Sequence, residues 1–99
     1  MNGYTFEWDE RKNENNLQKH GVDFETASRV FDDPHRVPFI ERVEGGEERW
    51  HMIGFVPNTM LILVVVHIYP EEGNENLVRI ISARRASKRE RKTYDEENT

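Results

Sequence analysis

Met60-Leu61-Ile62-Leu63-Val64-Val65-Val66-His67-Ile68 is the stretch on which the fold turns. An unbroken apolar run of this length, rich in β-branched side chains, suits a strand covered on both faces. It therefore belongs at the centre of a sheet. Working back from it, Pro57-Asn58 makes a turn, residues 49–56 alternate as a strand, and Glu44-Gly45-Gly46-Glu47 is a hairpin turn. Residues 37–43 form the strand before that, placed at the sheet edge by Pro38, which cannot donate to a ladder. Working forward, residues 70–76 form a polar turn and residues 77–83 the last strand. Regular alternation puts Leu77, Arg79 and Ile81 on one face of that strand and Val78, Ile80 and Ser82 on the other.

The first third of the chain reads differently. Phe6-Glu7-Trp8 suits a short strand, Asp9 an N-cap, and a helix follows to about His20, with Gly21 placed to end it. Leu17 is the one large apolar residue of that helix, so few anchors hold it. Asp23 starts a second helix with Phe24, Ala27, Val30 and Phe31 on one face, stopped by Asp33-Pro34. Ser87-Lys88-Arg89-Glu90 is a capping box that opens a short C-terminal helix, and the acidic residues 95–99 are expected to fray. The expected class is α+β: a single domain over residues 1–99, with two N-terminal helices packed on a four-stranded, mainly antiparallel sheet.

At 99 residues the chain has room for one core. The apolar run is too short to span a bilayer and no export signal is read, so cytoplasmic residence is expected. Without cysteine there is no disulfide, thiolate zinc site or cysteine nucleophile. His20, His35, His51 and His67 lack metal-binding spacing, so no metal or other cofactor is expected.

Charge points to the partner. The chain carries −5 overall, yet residues 79–92 hold seven of its fourteen Lys and Arg residues and one acid, Glu90. A net-acidic protein that concentrates cations in this way has a local anion site, and nucleic acid is the commonest cellular polyanion. Arg84 and Arg85 stand where a strand gives way to a helix N-terminus, a place that favours phosphate, and Arg79 adds a third guanidinium. Lys88, Arg89 and Arg91 extend the basic segment, while Arg49 and His51 share one face of their strand. Lys12, with Lys19, His20 and Trp8, is a candidate second wall. The last strand brings Arg79 near His67, whose pKa like charge would depress, leaving a neutral imidazole to take a proton. Tyr94 is a phenol able to stack or donate a proton.

Taken in order, Phe6-Glu7-Trp8-Asp9-Glu10-Arg11-Lys12, Asn16-Leu17-Gln18-Lys19-His20-Gly21-Val22-Asp23-Phe24 and Val30-Phe31-Asp32-Asp33-Pro34 resemble the BrnT family of toxins. So do Gly46-Glu47-Glu48-Arg49-Trp50, the apolar run ending in His67, and Arg79-Ile80-Ile81-Ser82-Ala83-Arg84-Arg85-Ala86 with Glu90-Arg91 and Tyr94. The resemblance implies a RelE-like fold and a type II toxin that cleaves RNA and stops translation. It also implies a BrnA-like antitoxin with a ribbon-helix-helix part, through which alone operator DNA is bound.

Metal-free RNA cleavage needs a base for the 2′-hydroxyl, positive charge on the phosphorane and an acid for the leaving oxygen. His67 is the expected base, Arg84 and Arg85 hold the scissile phosphate, Arg79 that or a neighbouring one, and Tyr94 or an arginine is the acid. Lys12, Arg49, His51, Lys88, Arg89 and Arg91 are the expected RNA contacts. Two rival readings use the same cations: a non-catalytic nucleic-acid-binding module, and an interaction protein that docks an acidic partner.

Overall fold

The central strand organises everything around it. In the computed structural model, which describes residues 3–99 and only the backbone of Glu41 and Arg42, Leu63, Val64 and Val65 are wholly buried. The elements run β1 (Thr5–Glu7), α1 (Glu10–His20), α2 (Phe24–Ser28), a 3-10 turn (Arg29–Asp32), β2 (Val37–Glu44), β3 (Glu47–Phe55), β4 (Ile62–Ile68), β5 (Leu77–Arg85) and α3 (Lys88–Glu97). This is an α+β arrangement with one mixed sheet, ordered β1-β5-β4-β3-β2.

The sheet has five strands, where sequence alternation yields four. The short Phe6 segment pairs parallel with β5, Phe6 opposite Val78, and so closes the sheet's far edge. A parallel neighbour must arrive by a long crossover, and no local pattern reports one. The other four strands form the expected antiparallel meander, with Val37 opposite Ile53 and His51 opposite Val66.

Local caps set the helix limits. The Asp9 side chain accepts the Arg11 and Lys12 amides at 2.9 and 3.1 Å, and Gly21 ends α1 at φ 71°. Leu17 does not anchor this helix, being half exposed. Asn16 does: its amide gives two 2.8 Å bonds to the carbonyls of Val22 and Ala83 and accepts the Ala83 N–H at 3.1 Å. Beyond the three residues of β1, one asparagine thus supplies the edge bonds that a longer strand would have made. Asn13 adds a bond from the Phe24 amide at 2.8 Å, which ties α1 to the start of α2.

Both faces of the sheet are packed. Phe24, Ala27, Val30 and Phe31 meet Leu63, Val65, Val78, Ile80 and Ala83 on one side. On the other, Ile53 and Val64 are covered by Tyr94, the single residue that α3 buries. Each large aliphatic or aromatic side chain so buried contributes about 1.5–3 kcal/mol, so the first side carries most of the stability. The helix α3 runs to Glu97, further than the fraying expected from residue 95, because Asn98 bonds the carbonyls of His35 and Tyr94 at 3.0 and 2.8 Å.

Candidate active site

A slip in β5 decides which side chains meet. His67 lies opposite Ile80, but Val66 lies opposite Ser82, so one extra residue is accommodated between them. A bulge of this kind inverts the alternation beyond it. Val78, Ile80 and Ala83 therefore share the α2 side, and Ser82 moves to the opposite face from the one regular alternation assigns it. Arg79 and Arg84, an odd number of residues apart, come onto the same face. The strand also continues two residues past Ala83, to Arg85.

That face can be read in rows across the sheet. Val37, Ile53, Val64 and Arg84 form one row, and Phe39, His51, Val66 and Ser82 the next. Two residues further along β4 and β5, Ile68 lies opposite Arg79, and Arg79 lies beside Glu7 of β1. Arg49, two residues before His51 on β3, belongs to this last row. The first row lies under α3 together with Phe39 of the second row; His51, its ring 5.0 Å from that of Phe39, is only 7% exposed, and Arg49 and Arg79 lie one row further along. Arg49, His51, Arg79 and Arg84 are thus brought together on one half-sheet. Of the four histidines only His51 sits on this face.

Each arginine is held by a carboxylate. Arg79 bonds Glu7 at 2.5 Å, Arg49 approaches Glu44 at 3.5 Å, and Arg84 makes two parallel bonds to Glu90 at 2.6 and 2.8 Å. Glu90 also accepts the Ser87 amide at 2.8 Å while the Ser87 hydroxyl accepts the Glu90 amide at 3.1 Å, which completes the capping box. The Arg84 bonds chiefly hold its carboxyl down at about 2, against the opposing effect of burial. So weak a base takes no proton at neutral pH, but it fixes the Arg84 guanidinium in place.

Other expected site residues lie elsewhere. His67 is wholly buried on the α2 side, edge-on to Phe31 and Tyr69, with Nδ1 3.1 Å from the Val65 carbonyl and Nε2 3.3 Å from the Tyr69 hydroxyl. Its pKa is depressed to about 4, as expected in direction, but burial is the main cause rather than a neighbouring arginine; His51 adds a smaller push. Tyr94 is buried and donates to Asp33 at 2.7 Å, and burial together with that carboxylate raises its pKa. Arg85 lies opposite Leu63 and so follows the α2 side. Lys12 is exposed on α1. Lys88, Arg89 and Arg91 line a groove beside Phe55 and Ile62, across α3 from the arginine rows. Among the described residues no group of three or more His, Asp or Glu is arranged to hold a metal ion.

The family model described as the ribonuclease toxin, BrnT, of type II toxin-antitoxin systems matches residues 8–90. The chain belongs to the BrnT family. As a BrnT toxin it is a ribonuclease by class, with RNA as substrate and an antitoxin as partner. The matched span includes Arg49, His51, Arg79, Arg84 and Glu90, so the arginine rows lie within the BrnT part of the chain. No curated protein matches this BrnT chain. No helix among its described residues is long and apolar enough to cross a membrane.

His67 in this BrnT toxin gives a measurable pH effect. Its folded pKa of about 4 lies below the ordinary 6.5, so below pH 6.5 the unfolded chain takes up a proton that the folded one refuses. Stability contributed by the neutral ring is complete above that value and is lost as pH falls from 6.5 towards 4, a total of ~3 kcal/mol. Urea unfolding midpoints should drop steadily across that window. A flat midpoint between pH 6.5 and 4.5 would show that the ring is not held neutral.

Proposed function

We propose that this BrnT toxin is a metal-independent endoribonuclease that stops translation by cutting RNA laid over the arginine rows of the sheet. The proposed reaction is attack of a ribose 2′-hydroxyl on the adjacent phosphodiester, with a 2′,3′-cyclic phosphate and a 5′-hydroxyl as products. Arg84 takes the scissile phosphate, since its guanidinium is the most firmly oriented, and Arg79 and Arg49 take neighbouring phosphates. His51 handles the proton, being the imidazole on that face. The observation that supports this reading best is the β5 bulge, which turns Arg79 and Arg84 to the same side as Arg49 and His51. A RelE-like fold, residence in the cytoplasm and a BrnA-like ribbon-helix-helix antitoxin, through which operator DNA is bound, complete the proposal.

The test is incubation with total RNA in EDTA. Fragments ending in 2′,3′-cyclic phosphate are expected, and His51→Gln should slow their appearance by 10²-fold or more, the usual contribution of general acid–base catalysis. RNA that stays intact while binding in a salt-dependent manner would replace the enzyme with a non-catalytic nucleic-acid-binding module.

A further inference from the structure

We infer that the groove between α3 and the β3–β4 turn seats an acidic, amphipathic segment of the antitoxin, on a surface distinct from the one that takes RNA. The inference rests on the toxin reading and adds to it a docking surface and the chemistry of what docks.

The groove holds about 820 Å³ and is lined by Phe55, Ile62, Lys88, Arg89, Arg91, Lys92 and Asp95. Its floor is apolar. Phe55 ends β3 and Ile62 begins β4, and Met60, in the turn between them, is 90% exposed. Its rim is mainly cationic, with Lys88, Arg89, Arg91 and Lys92 against one acid, Asp95; Lys88, Arg91 and Asp95 recur at helical spacing and place one stripe of α3 along the groove. The opposite flank of α3 presents Glu90, Thr93 and Glu97 to Val37, Phe39 and Ile53, on the side of the arginine rows. The helix thus separates two surfaces of different chemistry.

The two sets of cations also differ in their partners. Arg49, Arg79 and Arg84 each have a glutamate, whereas among the described residues no carboxylate pairs with Lys88, Arg89, Arg91 or Lys92. Four unpaired cations around a hydrocarbon floor complement carboxylates that alternate with apolar side chains. An RNA backbone would satisfy the rim but leave Phe55 and Ile62 in water, whereas a protein segment covers both. Crowding unpaired cations beside exposed hydrocarbon suits a surface that is covered by a partner.

The experiment compares growth arrest, rescue and affinity for the full-length chain and two variants, Met60→Glu/Lys92→Glu and Met60→Glu, all at exposed positions. Each is expressed with and without its antitoxin, and the purified proteins are titrated with antitoxin and assayed on RNA. Both variants should still arrest growth and cleave RNA within about twofold of the parent, while the double variant binds antitoxin at least tenfold more weakly and is no longer rescued. Unchanged antitoxin affinity in both variants overturns the inference and leaves the toxin reading standing. Loss of RNA cleavage in step with loss of charge makes the groove part of the RNA surface and overturns it too. Failure of the parent chain to arrest growth removes the toxin reading, and the inference with it. Met60→Glu carries the comparison if the double variant does not fold.

Discussion

Replacing Arg84 by alanine should lower kcat/KM for RNA cleavage by 10²- to 10³-fold, the loss of about 3–4 kcal/mol of transition-state stabilisation typical of a missing oxyanion donor. The size follows from preorganisation. Glu90 clamps the Arg84 guanidinium with two bonds of 2.6 and 2.8 Å, and Ser87 clamps Glu90 in turn, so the group is already oriented when charge builds on phosphorus. Arg84→Lys should recover little of the rate, because an ammonium cannot make the bidentate pair that orients the group. Arg85→Ala serves as the contrast: that side chain follows the other side of the sheet, and cleavage should change by no more than about threefold, in keeping with a distant surface charge. Initial rates on a defined RNA, with far-UV spectra to verify folding, measure all three. An Arg84→Ala protein that folds and cleaves within threefold of the parent would remove Arg84 from the reaction.

Asp33→Ala should be the most damaging single change to the fold. The Asp33 carboxylate is 6% exposed and accepts three bonds: from the His35 amide at 2.9 Å, the Phe55 amide at 2.8 Å and the Tyr94 hydroxyl at 2.7 Å. It joins the end of the 3-10 turn, the last residue of β3 and the one buried residue of α3. Burial by itself would raise its pKa, but the bonds from Tyr94, Phe55 and His35 outweigh it and hold the carboxyl below its ordinary value. Removing it leaves a buried hydroxyl and amide without acceptors, which costs ~4 kcal/mol. For a domain of this size that is a fall in Tm of roughly 15–30 °C. Asp33→Asn, which keeps an acceptor for some of these donors, should lose less. Calorimetry decides the matter, and a Tm drop under about 5 °C would mean that water or a rearranged loop replaces the carboxylate. Gly54 packs tightly against the same group: a Cβ there would stand 2.8 Å from Val30 Cγ1 and 3.1 Å from Asp33 Oδ2.

Legibility in the sequence followed range. Asp9, Asp23 and Ser87 cap helices through bonds that reach two or three residues, and such bonds can be read from spacing. The run through Val66 declared itself central because burial on both sides leaves a composition no edge strand could tolerate. Asn13 and Asn16 gave no such notice. In a helix without an apolar stripe, their amides look like any solvated polar group, and only the approach of Ala83 and Phe24 makes them anchors. Asp33 likewise read as a helix stop, although it accepts a bond from a tyrosine sixty-one residues away. The groove cations were legible as a basic segment, but not their division from Arg84, which depends on where α3 crosses the sheet.

By itself, then, the chain specified its helix caps, its antiparallel meander, its central strand and a concentration of positive charge after residue 79, all consequences of periodicity, turn chemistry and composition acting over a few residues. Tertiary structure alone decided the parallel docking of β1 on β5, the burial of His67 against Phe31, and the face on which each arginine emerges. The physical reason lies in the pleat: strand faces alternate with a period of two, so the single extra residue accommodated between Ile80 and Ser82 reverses every later side chain. That residue is taken up only because β4 and β5 pair in a register set by packing on both sides of the sheet.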